Sequence, residues 1–172
     1  MPAIVFTRPN GKVSITRPSN TLLAWMGNGG RWNGFDPGFA DRQIDKLCEE
    51  GISWCAASRY VRAMQFGGCT SAEAWGIIRD RFCGHLGTGF ELWSDADIPS
   101  DRWFRDAWRR SHNGGPIGLD LKMAKKIQLQ RLSRAAHNTG AFLQIGRWRD
   151  RIRQAKDGEE LRRVWPKGLE SR

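Results

Sequence analysis

The sequence predicts an α+β protein with an N-terminal β-hairpin, an inserted three-helix segment, and short strands and basic helices at the C-terminal end. Three observations favour this class. Two β-rich runs flank an Asn-Gly pair near the start, glycines divide residues 39–83 into helical segments, and residues 101–172 alternate brief β patterns with Lys- and Arg-rich stretches. The chain has 172 residues, of which 40% are apolar. A chain of this length buries roughly 70% of its unfolded surface, enough for an independent core.

The first element is a hairpin over residues 4–8 and 12–16, which flank Asn10-Gly11. Asn-Gly tolerates positive φ at both positions of a two-residue turn. Such a loop pairs Phe6 with Ile15. Because side chains alternate along a strand, one face of this hairpin is apolar and is expected to be buried. The side chains predicted to share that face are Ile4, Phe6, Val13 and Ile15.

The next segments are a glycine-rich loop and three helices. Residues 17–38 are predicted to be loop with one helical turn at 22–26. Residues 39–83 predict three short helices, with breaks at Gly51 and at Gly67-Gly68. Residues 70–73 (TSAE) match a capping box, in which the Thr side chain accepts from the N3 amide and the Glu side chain reaches back.

A strand followed by a helix is predicted over residues 91–110. Residues 91–98 favour a short strand that Pro99 ends, and Ser100 or Asp101 is expected to cap the helix. An apolar face with helical spacing supports that helix. Its members are Trp103, Phe104, Ala107 and Trp108.

The C-terminal elements are a brief strand and three helices. Residues 117–121 alternate, and a helix capped by Asp120 follows at 121–136. Its apolar residues spread widely around the helical wheel, so the pattern does not define a buried face. Further helices are predicted over 141–156 and 157–165.

Charge is unevenly placed along the chain. Residues 1–100 hold 10 Lys and Arg against 10 Asp and Glu, whereas residues 101–172 hold 18 against 8, which is the entire net charge of +10. We therefore divide the chain into a neutral part, 1–100, and a basic helical part, 101–172, expected to pack as one compact unit. The asymmetry indicates an anionic partner for the C-terminal part; a solvated helical surface is the alternative.

Arginines recur at every second position in RWRDRIRQAK, residues 147–156. In a helix, an apolar stripe of Trp148, Ile152 and Ala155 separates two i, i+4 arginine pairs. Like charges at this spacing cost a few tenths of a kcal/mol per pair, which an anionic partner would relieve. The candidate residues for binding a partner or nucleic acid are Arg102, Arg109, Arg110, Arg131, Arg134, Arg147, Arg149, Arg151 and Arg153.

A second candidate DNA-binding segment lies at residues 43–64. It resembles the helix-turn-helix of phage repressors, in which a glycine makes the turn and the second helix enters the major groove. Glu50 stands where that pattern has an apolar residue, and Leu47 where it has a small one. Packing in a helical bundle is therefore the alternative. The candidate residues are Gly51, Ser53, Ser58, Arg59 and Arg62.

Catalytic and metal-binding motifs are not found in the sequence. It has no phosphate-binding glycine loop, GxSxG or HExxH. A base formed by His112 with Asp101 or Asp106 is the enzymatic alternative. The four cysteines lack zinc spacing and are expected to be small buried apolar residues. We predict no catalytic residues, no metal and no cofactor. No apolar run reaches 18 residues, so no membrane span is predicted, and the N-terminus lacks the pattern of a signal peptide.

Three stretches carry a family resemblance. They are DADIPSDRWFRDAW (95–108), IGLDLKMAKKIQLQRL (117–132) and EELRRVWPKGL (159–169). They resemble small proteins of bacteriophages and of prophages of proteobacteria that share an (I/L)P-x-DR-x-FR-x-AW core. The core is followed by a strand and a D-x-x-x-A-x-x-I helix. The resemblance covers roughly residues 1–16 and 91–169, and residues 20–85 are an added helical segment.

The resemblance implies a role in the virion, because related genes lie among virion and tail genes. The leading expectation is a phage-encoded, non-enzymatic binding protein of the virion or tail assembly, with other phage proteins as partners. It would be found in the host cytoplasm or the virion. The first alternative is an accessory or regulatory protein that binds DNA or RNA through its basic helices. The second is a small inhibitor of a host protein.

Overall fold

A computed structural model describes residues 2–139 and 145–166 and confirms the α+β class. The chain forms two compact units. Unit 1 comprises the residues up to Ile98 together with Ser111–Gly114, and unit 2 comprises Pro99–Arg110 and the residues from Gly115 onward. The sequence analysis placed its boundary at residue 100.

Unit 1 contains an antiparallel sheet of order β2-β1-β3. Its strands are β1 (Ala3–Thr7), β2 (Val13–Thr16) and β3 (Thr88–Trp93). All five residues of the central strand β1 are buried, so both of its faces are covered. An apolar run without alternation is the expected sequence of a strand buried on both sides.

The predicted hairpin is confirmed, but its predicted register is wrong. The amide of Gly11 donates to the carbonyl of Arg8 at 2.9 Å, and the amide of Arg8 donates to that of Lys12 at 2.8 Å. The loop therefore has three residues, with Gly11 at φ +76°. Shifting a strand by one residue turns its side chains to the opposite face, so the predicted shared face does not exist. The observed pairs are Ile4 with Thr16, Val5 with Ile15, Phe6 with Ser14 and Thr7 with Val13.

The helices of unit 1 are α1 (Asn20–Asn28), α2 (Phe39–Glu49), α3 (Trp54–Phe66) and α4 (Ser71–Phe82). The three predicted helices and their breaks are confirmed. Helix α1 is longer than the predicted single turn, because Ser19 caps it by accepting from an amide of the first turn at 3.1 Å.

The predicted capping box of α4 is also confirmed. The amide of Glu73 donates to the Thr70 hydroxyl at 3.3 Å, and the Thr70 amide donates to the Glu73 carboxylate at 2.8 Å. Hydrogen bonds from the Thr70 hydroxyl and amide lower the pKa of Glu73. The box therefore satisfies backbone donors at the start of α4 that the helix itself leaves unpaired.

The C-terminal ends of α1 and α3 bond to each other through their backbones. The amide of Gly30 donates to the carbonyl of Gln65 at 2.9 Å, and the amide of Gly68 donates to that of Gly27 at 2.8 Å. A Cβ atom on Gly67 would lie 2.4 Å from the nitrogen of Gly29. This close approach, which we name the α1–α3 clasp, satisfies carbonyls at both helix ends.

Two apolar clusters hold unit 1 together. One joins the sheet to α1, α3 and α4 and contains the fully buried Phe6, Met26 and Ile78. The other joins α2 to α3 through Leu47 and Val61. Helix α3 contributes to both clusters, through Ala63 and Met64 to the first and through Ala57 and Val61 to the second.

Unit 2 begins differently from the prediction. In place of a helix after Pro99, a single 3-10 turn (Arg105–Ala107) leads into a hairpin of β4 (Trp108–Ser111) and β5 (Gly114–Leu119). The predicted helix is wrong here because two separate features compete with it. Asp101 accepts a hydrogen bond from the amide two residues later at 2.8 Å, and the strand pairing begins at Trp108.

The helices of unit 2 are α5 (Leu121–Thr139), α6 (Ile145–Gln154) and α7 (Gly158–Arg163). Asp120 caps α5 as predicted, and Asp157 caps α7. Residues 141–144 of the predicted helix 141–156 lie outside the described residues. A single cluster packs these helices together. It contains Phe104, Ala107, Ala124, Leu132, Ala136, Ile145, Ile152, Ala155, Leu161 and Val164.

Candidate functional site

An open groove of about 430 Å³ runs between α5 and α6. Its residues are mostly polar and cationic, and none of them is acidic. We call it the α5–α6 groove. Its lining residues are Lys126, Leu129, Gln130, Ser133, Arg134, Arg149 and Arg153.

Helix α5 supplies one row of this groove. Lys126, Gln130 and Arg134 are spaced at i, i+4 and i+8, so they lie on one face, about 6 Å apart along the helix. All three are exposed. They lie about 120–160° around the helix from the buried stripe of α5, whose residues Ala124, Gln128 and Leu132 are each 0% exposed. Burial of that stripe therefore sets the direction in which the polar row points.

Helix α6 supplies the opposite row, and it runs antiparallel to α5. The Nζ of Lys125 donates to the carbonyl of Arg153 at 2.7 Å, and a guanidinium nitrogen of Arg149 lies 3.4 Å from the Oγ of Ser133. Helix α6 therefore brings Arg149 and Arg153 to the same groove as Lys126 and Arg134 of α5. Each of the two helices contributes a pair of cations to the groove.

The groove cations have few acidic partners. Arg153 lies 3.2 Å from Asp150, but both side chains are 65% exposed, and exposed pairs of this kind contribute about 0–1 kcal/mol. Lys126, Arg134 and Arg149 form no ion pair with any residue that the structure describes. The positive charge of the groove is thus largely uncompensated.

The other two arginines of α6 lie on the opposite flank of the helix. Ile145 and Ile152 are buried, and helical geometry places Arg149 and Arg153 on one side of this stripe and Arg147 and Arg151 on the other. The Arg151 guanidinium lies 4.9 Å from the centre of the Trp148 ring. All four arginines were predicted to be binding residues, whereas only Arg149 and Arg153 line the groove.

Of the remaining predicted arginines, Arg102 is exposed and Arg110 is not. Arg110 is 5% exposed and donates through Nε to the carbonyl of Gly115 at 2.6 Å, so the prediction that it lies on a binding surface is wrong. The β4–β5 hairpin, which the sequence analysis did not predict at this position, buries it. Half-buried Arg109 donates to the carbonyl of Trp108 at 2.9 Å.

Arg131 packs on an aromatic ring. Its guanidinium lies 4.5 Å from the centre of the Trp103 ring, and that of Arg162 lies 4.0 Å from the same ring. Trp103 is therefore placed between two cations. Such contacts contribute about 0.5–1 kcal/mol at exposed sites, so Arg131 is part of the packing of unit 2.

The predicted helix-turn-helix forms as α2, a turn and α3. Gly51 adopts φ +87° in the turn, and Ser53 caps α3 by accepting from the amide of Ala56 at 3.3 Å. Arg59 pairs with Asp80 at 3.2 Å. Of the other candidate residues, Ser58 is half-buried and Arg62 is exposed. DNA reading by α3 stays a prediction, with Arg62 as its exposed cation.

Sequence reasoning did not include Lys126, Gln130 and Ser133 among the candidate binding residues. The i, i+4, i+8 spacing of Lys126, Gln130 and Arg134 was a usable signal. This spacing was not recognised as a binding row because the buried face of α5 could not be located from the sequence. Without that face, the position of the polar row could not be assigned.

The structure describes the residues that the metal and acid–base alternatives involve. Within residues 2–139 and 145–166 no group of three or more His, Cys, Asp or Glu side chains is arranged to hold a metal ion. The carboxylate of Asp101 lies 3.4 Å from the Arg162 guanidinium. Cys83 is buried as expected, and burial raises its pKa, but Cys55 is exposed, contrary to the prediction.

Helices long and apolar enough to cross a membrane do not occur among the residues that the structure describes. Comparisons of the chain with protein-family models, with curated proteins and with solved structures gave no match.

Proposed function

We propose that this is a non-enzymatic binding protein whose unit 2 binds the phosphate backbone of nucleic acid in the α5–α6 groove. One observation carries the proposal: four cations from two antiparallel helices line a groove that has no acidic residue. Neutralising phosphates with Lys and Arg releases condensed counterions, which drives binding at low salt.

The residue types of the groove suit a phosphate ligand. The arginine guanidinium is a planar donor that forms paired hydrogen bonds with phosphate oxygens, and lysine acts as a point charge. Gln130 and Ser133 also line the groove, and such side chains commonly donate to phosphate and sugar oxygens. The i, i+4 repulsion between Arg149 and Arg153 would also fall when an anion binds.

A gel shift with paired charge reversals tests the proposal. Wild-type protein should shift a nucleic-acid probe at low salt, and Arg149→Glu with Arg153→Glu should abolish the shift. The matched control is Arg147→Glu with Arg151→Glu, which makes the same charge change at the same spacing on the same helix but outside the groove. The control should retain most of the binding.

Two results would contradict the proposal. One is the absence of a shift by wild-type protein at any salt concentration. The other is an equal loss of binding in both double variants, because the groove would then be no more important than the general charge of unit 2. Thermal unfolding of each variant checks that the comparison is made between folded proteins.

The virion or tail role and the host-inhibitor role stay predictions, the former from the phage resemblance. The proposed binding is compatible with either setting, because a nucleic-acid-binding protein can be part of a particle or act beside it. Mass spectrometry of purified phage particles tests the virion role. Detection of the protein there supports that role, and its absence argues against it.

A further inference from the structure

We infer that the α5–α6 groove holds one strand of a nucleic-acid duplex by two to four consecutive phosphates, independently of base sequence. The inference rests on the proposed function and adds the form of the ligand and the way it is recognised. Three features of the groove carry it: the spacing of its cation pairs, its concave shape and its lack of an aromatic lining.

The spacing of the cation pairs sets the length of backbone that they contact. Lys126 and Arg134 are eight residues apart on α5, which corresponds to about 12 Å along the helix, and Arg149 and Arg153 are separated by about 6 Å on α6. Successive phosphates of one strand advance about 3.4 Å along a duplex axis. Because a strand winds around that axis, its phosphates lie farther apart than this rise, so a span of about 6–12 Å contacts at most four of them and a single phosphate group reaches only one end.

The concave shape favours the backbone over the base edges. Reading of base edges in the major groove is usually done by a helix or β-ribbon that protrudes into it. Here the cations line a shallow, open depression between two helices, with Leu129 and Ser133 among its lining residues. A depression of this kind receives a ridge, and the ridge of a duplex is its sugar–phosphate strand. Contacts to phosphate and sugar position a protein without selecting sequence.

The lining of the groove does not offer stacking surfaces. Proteins that bind single strands combine a cationic groove with aromatic side chains on which bases stack. None of the seven described residues that line the α5–α6 groove is aromatic. Nearby tryptophans are engaged elsewhere: Trp103 lies between two guanidinium groups, and half-buried Trp148 is covered by Arg151. A duplex, whose bases are already stacked, needs no such surface.

The salt dependence of duplex binding tests the inference. Fluorescence anisotropy with a labelled B-DNA duplex should give a log–log slope of affinity against salt of about −1.8 to −3.6, the range for two to four phosphate contacts. Lys126→Gln with Arg134→Gln should reduce the magnitude of the slope by up to about 1.8, the value for two lost contacts. The matched control, Arg105→Gln with Lys156→Gln, neutralises two exposed cations of unit 2 outside the groove and should leave the slope unchanged.

Further probes separate the possible ligands. Two duplexes of unrelated sequence should bind equally, and a single strand of the same length should bind more weakly. A duplex of RNA in the same assay shows whether the groove accepts both kinds of duplex, as backbone recognition predicts.

The outcomes distinguish this inference from the proposed function. The inference is overturned if the single strand binds as tightly as the duplex, if one duplex sequence is strongly preferred, or if the groove variant keeps the wild-type slope. In the first two cases the proposed function still stands, whereas an unchanged slope in the groove variant also contradicts binding in the α5–α6 groove. Absence of binding to every probe overturns the proposed function as well.

Discussion

Gln128 is a polar side chain in the middle of the buried face of α5. It is 0% exposed, accepts a hydrogen bond from the indole nitrogen of Trp103 at 2.6 Å, and donates to the carbonyl of Val164 at 2.9 Å. Buried polar groups are tolerated when they are hydrogen-bonded and are costly when they are not. This one residue therefore ties α5 to the start and the end of unit 2.

Replacing Gln128 with Met should destabilise the protein. The change keeps a similar volume but leaves the half-buried Trp103 donor and the buried Val164 acceptor without this partner, at up to about 1–3 kcal/mol for each group. We expect the free energy of unfolding to fall by about 2–4 kcal/mol, measured by urea denaturation. Gln130→Met, at an exposed position of the same helix, should change it by less than about 0.5 kcal/mol. A Gln128→Met variant as stable as wild type would show that this bonding is unimportant.

Gln128 also explains why the sequence did not reveal the α5 face. The buried positions follow helical spacing, but the glutamine among them breaks the apolar pattern. A glutamine that is buried because tertiary partners satisfy it cannot be told from a surface glutamine by periodicity. The same limit applies to Arg110, whose burial follows from the β4–β5 hairpin and not from its neighbours in sequence.

At the scale of elements, the α1–α3 clasp depends on two glycines that play different roles. Gly67 and Gly68 both have positive φ, at +69° and +79°. A Cβ atom on Gly67 would meet backbone atoms at 2.4–2.8 Å, whereas one on Gly68 would meet nothing within 4 Å. Alanine at Gly68 therefore meets only the free-energy cost of the left-handed backbone, whereas alanine at Gly67 also meets the cost of the close approach.

Alanine substitutions at these two positions should differ in their effect. Gly68→Ala should cost about 1–2 kcal/mol, the cost of a left-handed conformation. Gly67→Ala should cost about 1–3 kcal/mol more, because the contacting atoms are backbone and cannot move aside without separating the helices. Chemical denaturation of both variants measures the difference. Equal losses would mean that the helix ends are not held at the distance that the structure gives.

Local signals predicted several elements well and failed where tertiary contacts compete. The capping box at Thr70, the break at Gly51 and the cap at Asp120 are decided by neighbours in sequence, and all three were predicted. The hairpin register depended on whether the loop has two or three residues, which Asn-Gly alone does not decide. The helix predicted around Trp103 does not form, and the chain instead begins a strand at Trp108. The aromatic residues of this segment can be buried in either conformation, so their pattern alone does not decide between helix and strand.

At the scale of the whole molecule, the net charge lies in residues 101–172. Only some of these cations line the α5–α6 groove. The sequence located the basic region and named Arg134, Arg149 and Arg153, which the structure brings to one groove. It did not distinguish them from Arg147 and Arg151, because only the packing of α6 against α5 separates the two flanks. Charge could be predicted from composition, whereas the shape of the binding surface required the fold.

Mapping the contact surface by NMR tests the central claim most directly. Backbone amide shifts of the full chain are followed while an unlabelled B-DNA duplex is added at low salt. The account predicts shifts concentrated at residues 126–134 and 149–153, with residues 54–66 of α3 little changed. Shifts concentrated on α3, or spread evenly over the basic residues of unit 2, would contradict a binding site in the α5–α6 groove.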